Sequence, residues 1–181
     1  MIKLRLALSA ALCVGSVACQ SIPGPKPKPA PKGSARGVSS ADSLGVVRNV
    51  KTTAYTQSES DHIVYGAKSA VGSELKFGEV RSAAADWSVY PVGTEFKIEG
   101  DNHVYQVDDY GSALVGTGTI DLYRPSRASM NEWGARHVNI QVLKWGSVAR
   151  SLSIMKPREK KAPHIRQMIS EIESGRGVPA S

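Results

Sequence analysis

Asp108-Asp109-Tyr110-Gly111-Ser112-Ala113-Leu114-Val115-Gly116-Thr117-Gly118-Thr119-Ile120-Asp121-Leu122-Tyr123-Arg124 sets two acidic sites about a dozen residues apart, with three glycines between them. The Asp-Tyr-Gly start is an ordinary turn, since Asp bonds its own backbone and Gly tolerates positive φ. Asp121 is less ordinary. It interrupts Thr119-Ile120-Asp121-Leu122-Tyr123, a run with strand character, and Asp is depleted in strands. Two readings stay open from this stretch alone. Asp121 faces solvent by strand alternation, or it enters a site where a carboxylate has work to do.

Outward from this stretch, alternation recurs. Val47 to Tyr55 is rich in β-branched residues and is expected to be a strand. Residues 56–82 are polar and glycine-containing, with a short strand expected near His62 to Ala67. Ala83-Ala84-Ala85 is too short for a helix of its own, and Tyr90 to Thr94 is a proline turn. Glu95 to Glu99 alternates, Gly100-Asp101-Asn102 turns, and His103 to Val107 returns as the second arm of a hairpin. After Asp121, Ser126 caps a short helix that ends at Trp133 and Gly134. Arg136 to Leu143 alternates as a last strand. Short strands, glycine turns and one small helix predict an all-β fold, a small closed barrel of six strands.

The flanks differ from this core. The chain has 181 residues, 41% of them hydrophobic, and a net charge of +7. Between Val38 and Ala149 there are 10 basic and 13 acidic residues, so the positive charge belongs to the two ends. A nucleic-acid binder carries its basic patch on the folded face, and no nucleic-acid partner is expected. Residues 1–18 have Lys3 and Arg5 before an apolar run from Leu6 to Val14, which reads as a signal peptide too short to span a membrane. Ser16-Val17-Ala18-Cys19 resembles a bacterial lipobox, with Ser16 where Leu is usual. Lipidation at Cys19 and ordinary secretion both remain open, the first favoured. The prediction is an exported protein of the cell envelope, membrane-attached through a lipid anchor. Gln20 after Cys19 points to an outer-membrane lipoprotein facing the periplasm. The only other cysteine, Cys13, lies in the leader, so no disulfide is expected.

Residues 19–45 form a linker in which Pro23, Pro25, Pro27, Pro29 and Pro31 alternate with Gly, Lys and Ala, favouring polyproline II. The folded domain is expected over 46–146, and a basic tail over 147–181. In the tail, Ile165, Met168, Ile169 and Ile172 lie at helical spacing, to pack on the domain or to meet a membrane or partner.

Five phrases occur in order: Thr53-Ala54-Tyr55; Ala84-Ala85-Asp86 with Tyr90-Pro91-Val92-Gly93-Thr94; Asp109-Tyr110-Gly111-Ser112-Ala113-Leu114-Val115-Gly116; Ile120-Asp121-Leu122-Tyr123; and Trp133-Gly134-Ala135-Arg136-His137-Val138-Asn139-Ile140. Together they resemble the 3D domain, named for three aspartates. That domain is shared by membrane-bound lytic murein transglycosylase A and other cell-wall-remodelling proteins. The resemblance covers roughly residues 50–146. It implies a double-psi β-barrel and a lytic transglycosylase acting on peptidoglycan glycan strands, with a 1,6-anhydromuramyl product. The three aspartates correspond to Asp86, Asp109 and Asp121, the last being the catalytic acid of the transglycosylase. Trp87 stands where the family has Pro, Ser112 where it has Gly, and Val115 where it has Lys. The loop from Gly116 to Asp121 is one residue longer. The transglycosylase's second domain, which walls its groove, has no counterpart in these residues, so a narrower or shallower site is expected.

The chemistry follows from what one acid can do. A carboxyl protonates the leaving glycosidic oxygen, and the sugar's C6 hydroxyl then replaces water as nucleophile. Asp121 is the expected acid, with Asp109 tuning or orienting it. Burial by Ile120 and Leu122, and the neighbouring charge of Asp109, are the expected means of raising its pKa. Asp86 is a supporting residue that bonds backbone amides. Thr53, Tyr55 and Gly111 are expected to bind substrate, with core packing the alternative for Tyr55. Trp87 and Trp133 are weaker candidates for stacking on sugars, with Trp133 favoured instead to end its helix against the barrel, and Asp108 is expected to be solvated. The four histidines lack metal-ligand spacing, and no metal or cofactor is expected. The competing functional classes are a non-catalytic glycan-binding module on the same barrel and a structural lipoprotein bridging membrane and wall.

Overall fold

The computed structural model describes residue 45, residues 47–58 and residues 66–177. The expected signal peptide, Cys19, the expected proline linker and most of the strand expected near His62 lie outside the described residues. The elements run β1 (Val47–Tyr55), β2 (Val80–Ala84), β3 (Glu95–Ile98), β4 (Val104–Asp109), β5 (Ile120–Tyr123), α1 (Arg127–Trp133), β6 (Arg136–Lys144), α2 (Val148–Met155) and α3 (Pro163–Glu173), with a 3-10 segment, Lys156–Lys161, before α3.

The six strands close into a barrel in the order β1-β5-β2-β4-β3-β6. Two pairs, β1/β5 and β2/β4, are parallel and the others antiparallel. This is the six-stranded double-psi barrel that the ordered aspartate phrases imply. One strand differs from the expectation by alternation. Val80–Ala84 forms β2, although its alanines carry no strand preference of their own. Ala83 is fully buried and paired with Val107 of β4 and Leu122 of β5, so tertiary pairing overrides propensity.

Alternation sorts inside from outside. Val50 and Thr52 of β1, Ile120 and Leu122 of β5, Val107 of β4 and Phe96 of β3 fill the interior. Thr52 is fully buried, and its hydroxyl donates to the Arg136 carbonyl at 3.1 Å, so no polar group is orphaned. Phe96 and Tyr105 stack with ring centroids 5.5 Å apart. Burying side chains of this size contributes about 1.5–3 kcal/mol each.

The ends of α1 are read from the chain directly. The Ser126 side chain accepts from Ser129 N–H, and Gly134 closes the helix at φ 62°. The tail is two helices joined by the 3-10 segment rather than one. Met155, Ile165, Met168 and Ile169 are buried and belong to the barrel's own apolar core. The apolar face of α3 is therefore covered by its own domain. Among the described residues no helix is long and apolar enough to cross a membrane.

Candidate functional site

Strand register assembles the aspartates. Thr53 of β1 lies opposite Asp121 of the parallel β5, so both side chains leave the barrel on the same outer face. The Thr53 hydroxyl donates to Asp121 Oδ1 at 2.7 Å. Two residues along β1, on that face, Tyr55 donates its phenol to Asp109 Oδ2 at 3.3 Å. Ala84 of β2 is the hinge of the arrangement, facing Asp121 across β5 and Asp109 across β4. Asp109 and Asp121 thus straddle a single methyl side chain, with their Cα atoms about 10 Å apart across two strand spacings.

A bulge makes Asp109 available to this face. The β2/β4 register pairs Ala83 with Val107 but Ala84 with Asp109, so Asp108 is the extra residue. Asp109 is 4% exposed, and its Oδ1 accepts the backbone N–H groups of Ala70 at 3.1 Å and Tyr110 at 2.9 Å. With Tyr55, three donors fix its carboxylate. Burial, followed by the charges of Asp109, Asp108 and Asp121, holds the Tyr55 phenol well above its usual range, so it stays a proton donor.

Asp121 is partly exposed, while Ile120 and Leu122 on either side of it are fully buried. This corrects the expected means of desolvation. Neighbours along a strand point to opposite faces, so Ile120 and Leu122 enter the core and cannot cover the Asp121 carboxyl. The apolar surroundings of the outer face come instead from a second, small cluster of Tyr55, Ala84, Leu114 and Tyr123, with Leu75 against it. Tyr55 and Tyr123 pack at 5.7 Å between ring centroids, and the Tyr123 phenol donates to Gln57 Oε1 at 2.5 Å. Leu75, Leu114 and Gln57 carried no sequence signal, because only the fold brings residues so far apart in the chain to one face.

Asp86 stands apart from this face. It is 2% exposed, and its Oδ1 accepts the N–H and hydroxyl of Ser88 at 2.9 and 2.6 Å. Its Oδ2 accepts Gly116 N–H at 2.8 Å. It ties the end of β2 to the loop between the two other aspartates, at a glycine with φ 76°. Gly111, in contrast, is absent from the positive-φ glycines, and a Cβ there would meet only Leu114 at 3.5 Å. Gly116 and Gly118, not Gly111, carry the left-handed turns of this loop.

Two other expectations are corrected, for Trp87 and Asp108, while Trp133 ends its helix against β1, donating to Thr52 at 3.3 Å as favoured. Trp87 is fully buried and donates to the Asp109 carbonyl at 2.8 Å, so it cannot stack on a sugar. Trp133 is covered by the guanidinium groups of Arg124 and Arg136, at 4.6 and 4.5 Å from its ring centre. Asp108 is 2% exposed rather than solvated, because the bulge turns it under the segment 69–76. Its Oδ2 accepts Ser82 Oγ at 2.7 Å and lies 3.5 Å from Lys76 Nζ. Among the described residues no group of three or more His, Cys, Asp or Glu is placed to hold a metal.

Two cavities, of about 560 and 250 Å³, open elsewhere on the barrel, and neither is lined by Thr53, Tyr55, Asp109 or Asp121.

Residues 81–144 match the family described as the 3D domain, and this stretch contains Asp86, Asp109 and Asp121. Over these residues the chain is similar to the 3D domain. Two proteins of Bacillus subtilis (strain 168) are similar to it. YabE, named provisionally as a cell wall shaping protein, is 34% identical over 105 residues, which is 58% of this chain and 25% of that one. YocH, named as a cell wall-binding protein, is 30% identical over 95 residues, 52% of this chain and 31% of that one. The chain thus spans a quarter to a third of the curated relatives it matches. The match to the 3D domain begins at Arg81 and ends at Lys144, so Thr53 and Tyr55, which hold its aspartates, come from a strand outside it.

Proposed function

We propose that this 3D domain acts on peptidoglycan as a lytic transglycosylase, with Asp121 as the acid. The observation that carries the reading is the pairing of a partly exposed Asp121, held by Thr53, with a rigid Asp109 on the other side of Ala84. Asp121 gives its proton to the bridging glycosidic oxygen as the bond to the muramyl C1 breaks. It then takes the proton of the same sugar's C6 hydroxyl as that oxygen bonds to C1. The balance needs no water and leaves a 1,6-anhydro end. Asp109 supplies negative charge beside the cationic transition state, while Thr53 and Tyr55 position the two carboxyls.

The test is digestion of isolated peptidoglycan. The wild-type protein is expected to release fragments with anhydro ends, read by mass spectrometry, and Asp121→Asn to release none. A second reading, a wall-binding module without catalysis, is favoured by the name of YocH. Sedimentation with intact sacculi in the absence of any released fragment would decide for it. Both readings place the protein outside the cytoplasm, and we propose Cys19 as its lipid attachment point. Labelled palmitate is expected on the wild type and not on Cys19→Ala, and an unlabelled wild type would refute the anchor.

A further inference from the structure

The two cavities away from the aspartates share Val92, Gly93 and Arg150, so they form one groove on the barrel. Trp145 and Lys144 line one end of it, Lys76, Gln106 and Asp108 the other, and Arg150 lies at the junction. The acids near this groove are already matched. Lys76 Nζ donates to Gln106 Oε1 at 2.7 Å and lies 3.5 Å from Asp108, and Lys144 Nζ lies 3.8 Å from Glu95. Gln106 in turn donates to Glu95 at 3.1 Å. Arg150 is exposed, and its guanidinium has no partner among the described residues. The groove therefore carries one uncompensated cation beside a lysine whose ammonium is held by two polar neighbours, Gln106 and Asp108. Trp145 stacks on Tyr90 at 6.2 Å and carries Arg48 over its ring at 5.2 Å, so it offers an apolar wall rather than a platform for a sugar. The size is that of a ligand of several residues, not of a single ion.

We propose that this groove binds the carboxylate-bearing peptide stems of peptidoglycan, with Arg150 and Lys76 receiving their free carboxylates. Guanidinium and ammonium groups that flank an apolar wall match a short peptide with acidic ends and small aliphatic side chains. The inference rests on the wall-directed reading above, and it gives the protein two contacts with its polymer: glycan at the aspartates, peptide here.

The probe is the stem tetrapeptide L-alanyl-D-γ-glutamyl-meso-diaminopimelyl-D-alanine, freed of sugar, titrated into the isotope-labelled full chain by NMR. The indole signal of Trp145 and the amides around Ser73 and Arg150 are expected to shift. Arg150→Glu is expected to weaken binding about tenfold or more, as loss of a charged hydrogen bond and gain of repulsion require. The peptide with its carboxylates amidated is expected to bind no better to wild type than the free peptide does to that variant. Because Arg150 is exposed, the variant's unchanged spectrum elsewhere serves as the folding control. Shifts centred on Asp109 and Asp121, or equal affinity of wild type and Arg150→Glu, would overturn the proposal. So would displacement of the peptide by equimolar inorganic phosphate, which would reduce the groove to a general anion site. Peptide-free glycan strands separate this result from the first. Their cleavage without peptide binding removes only the groove, and peptide binding without cleavage removes only the transglycosylase.

Discussion

Single groups decide how the aspartates behave. Thr53 is partly exposed and makes its one hydrogen bond of consequence to Asp121, at 2.7 Å. Thr53→Val keeps the shape and removes the donor. A bond to a charged group contributes about 1.5–3 kcal/mol, so glycan cleavage is expected to fall about tenfold or more, with a loss of folding stability no larger than that contribution. Thr53→Ser is expected to restore it, and a Ser variant as slow as the Val variant would refute the positioning role. Asp108 tests the opposite case, a carboxyl that the fold does not favour in its charged form. Burial raises it above the ordinary 3.8, with Ser82 and Lys76 acting in the other direction, and its Oδ1 is buried without a protein partner. An acid raised in the folded state binds more protons there than when unfolded, so its contribution to stability falls as pH rises from 3.8 through the raised value. Asp108→Asn removes this titration. Urea midpoints at about pH 3 and about pH 6 are expected to show wild type losing ground to the Asp108→Asn variant at the higher pH. A gap independent of pH would refute it.

Elements show which parts of this arrangement a sequence can display. β1, β6 and α1 were legible because they announce themselves locally, by β-branched alternation and by a Ser cap and Gly stop. β5 was legible as a strand, and Asp121 as its anomaly. β2 was not, because its two alanines become part of a strand only between β4 and β5. The bulge at Ala83/Ala84 was equally hidden, and with it the burial of Asp108, since register is a relation between two strands. The groove at Arg150 was invisible for the same reason. In the tail, helical spacing of Ile165, Met168 and Ile169 was plain, but not what they cover. They join the barrel core, and Met168 is fully buried. Met168→Ala is expected to destabilise the protein by about 2–5 kcal/mol, the cost of a buried cavity, as read by chemical denaturation. A change within 0.5 kcal/mol, roughly the range of surface substitutions, would mean that α3 only rests on the barrel.

At the scale of the molecule, barrel and tail share one apolar core, and this constrains how the chain unfolds. Trp87 is buried in that core and its backbone N–H lies 3.4 Å from the sulfur of Met168 in α3. Trp133 ends α1 and donates to Thr52 of β1 at 3.3 Å. Trp145 lies after β6, at the wall of the groove. The three indoles thus report on the tail contact, the contact of α1 with β1 and the groove. A domain of this size with one core unfolds as a unit when no part of it has a core of its own. Variants that keep one tryptophan each, with Phe at the other two positions, are expected to show fluorescence transitions that coincide with far-UV circular dichroism within each variant. Substituting Trp87 lowers the midpoint most, because it is fully buried, so coincidence of the two probes rather than equality of midpoints is the criterion. If the Trp87 signal changes before the dichroism does, the helices detach from a barrel that stays folded. The tail would then be an appendage, and the aspartate face would persist without it, while the groove, lined in part by Arg150 and Leu152 of α2, would not.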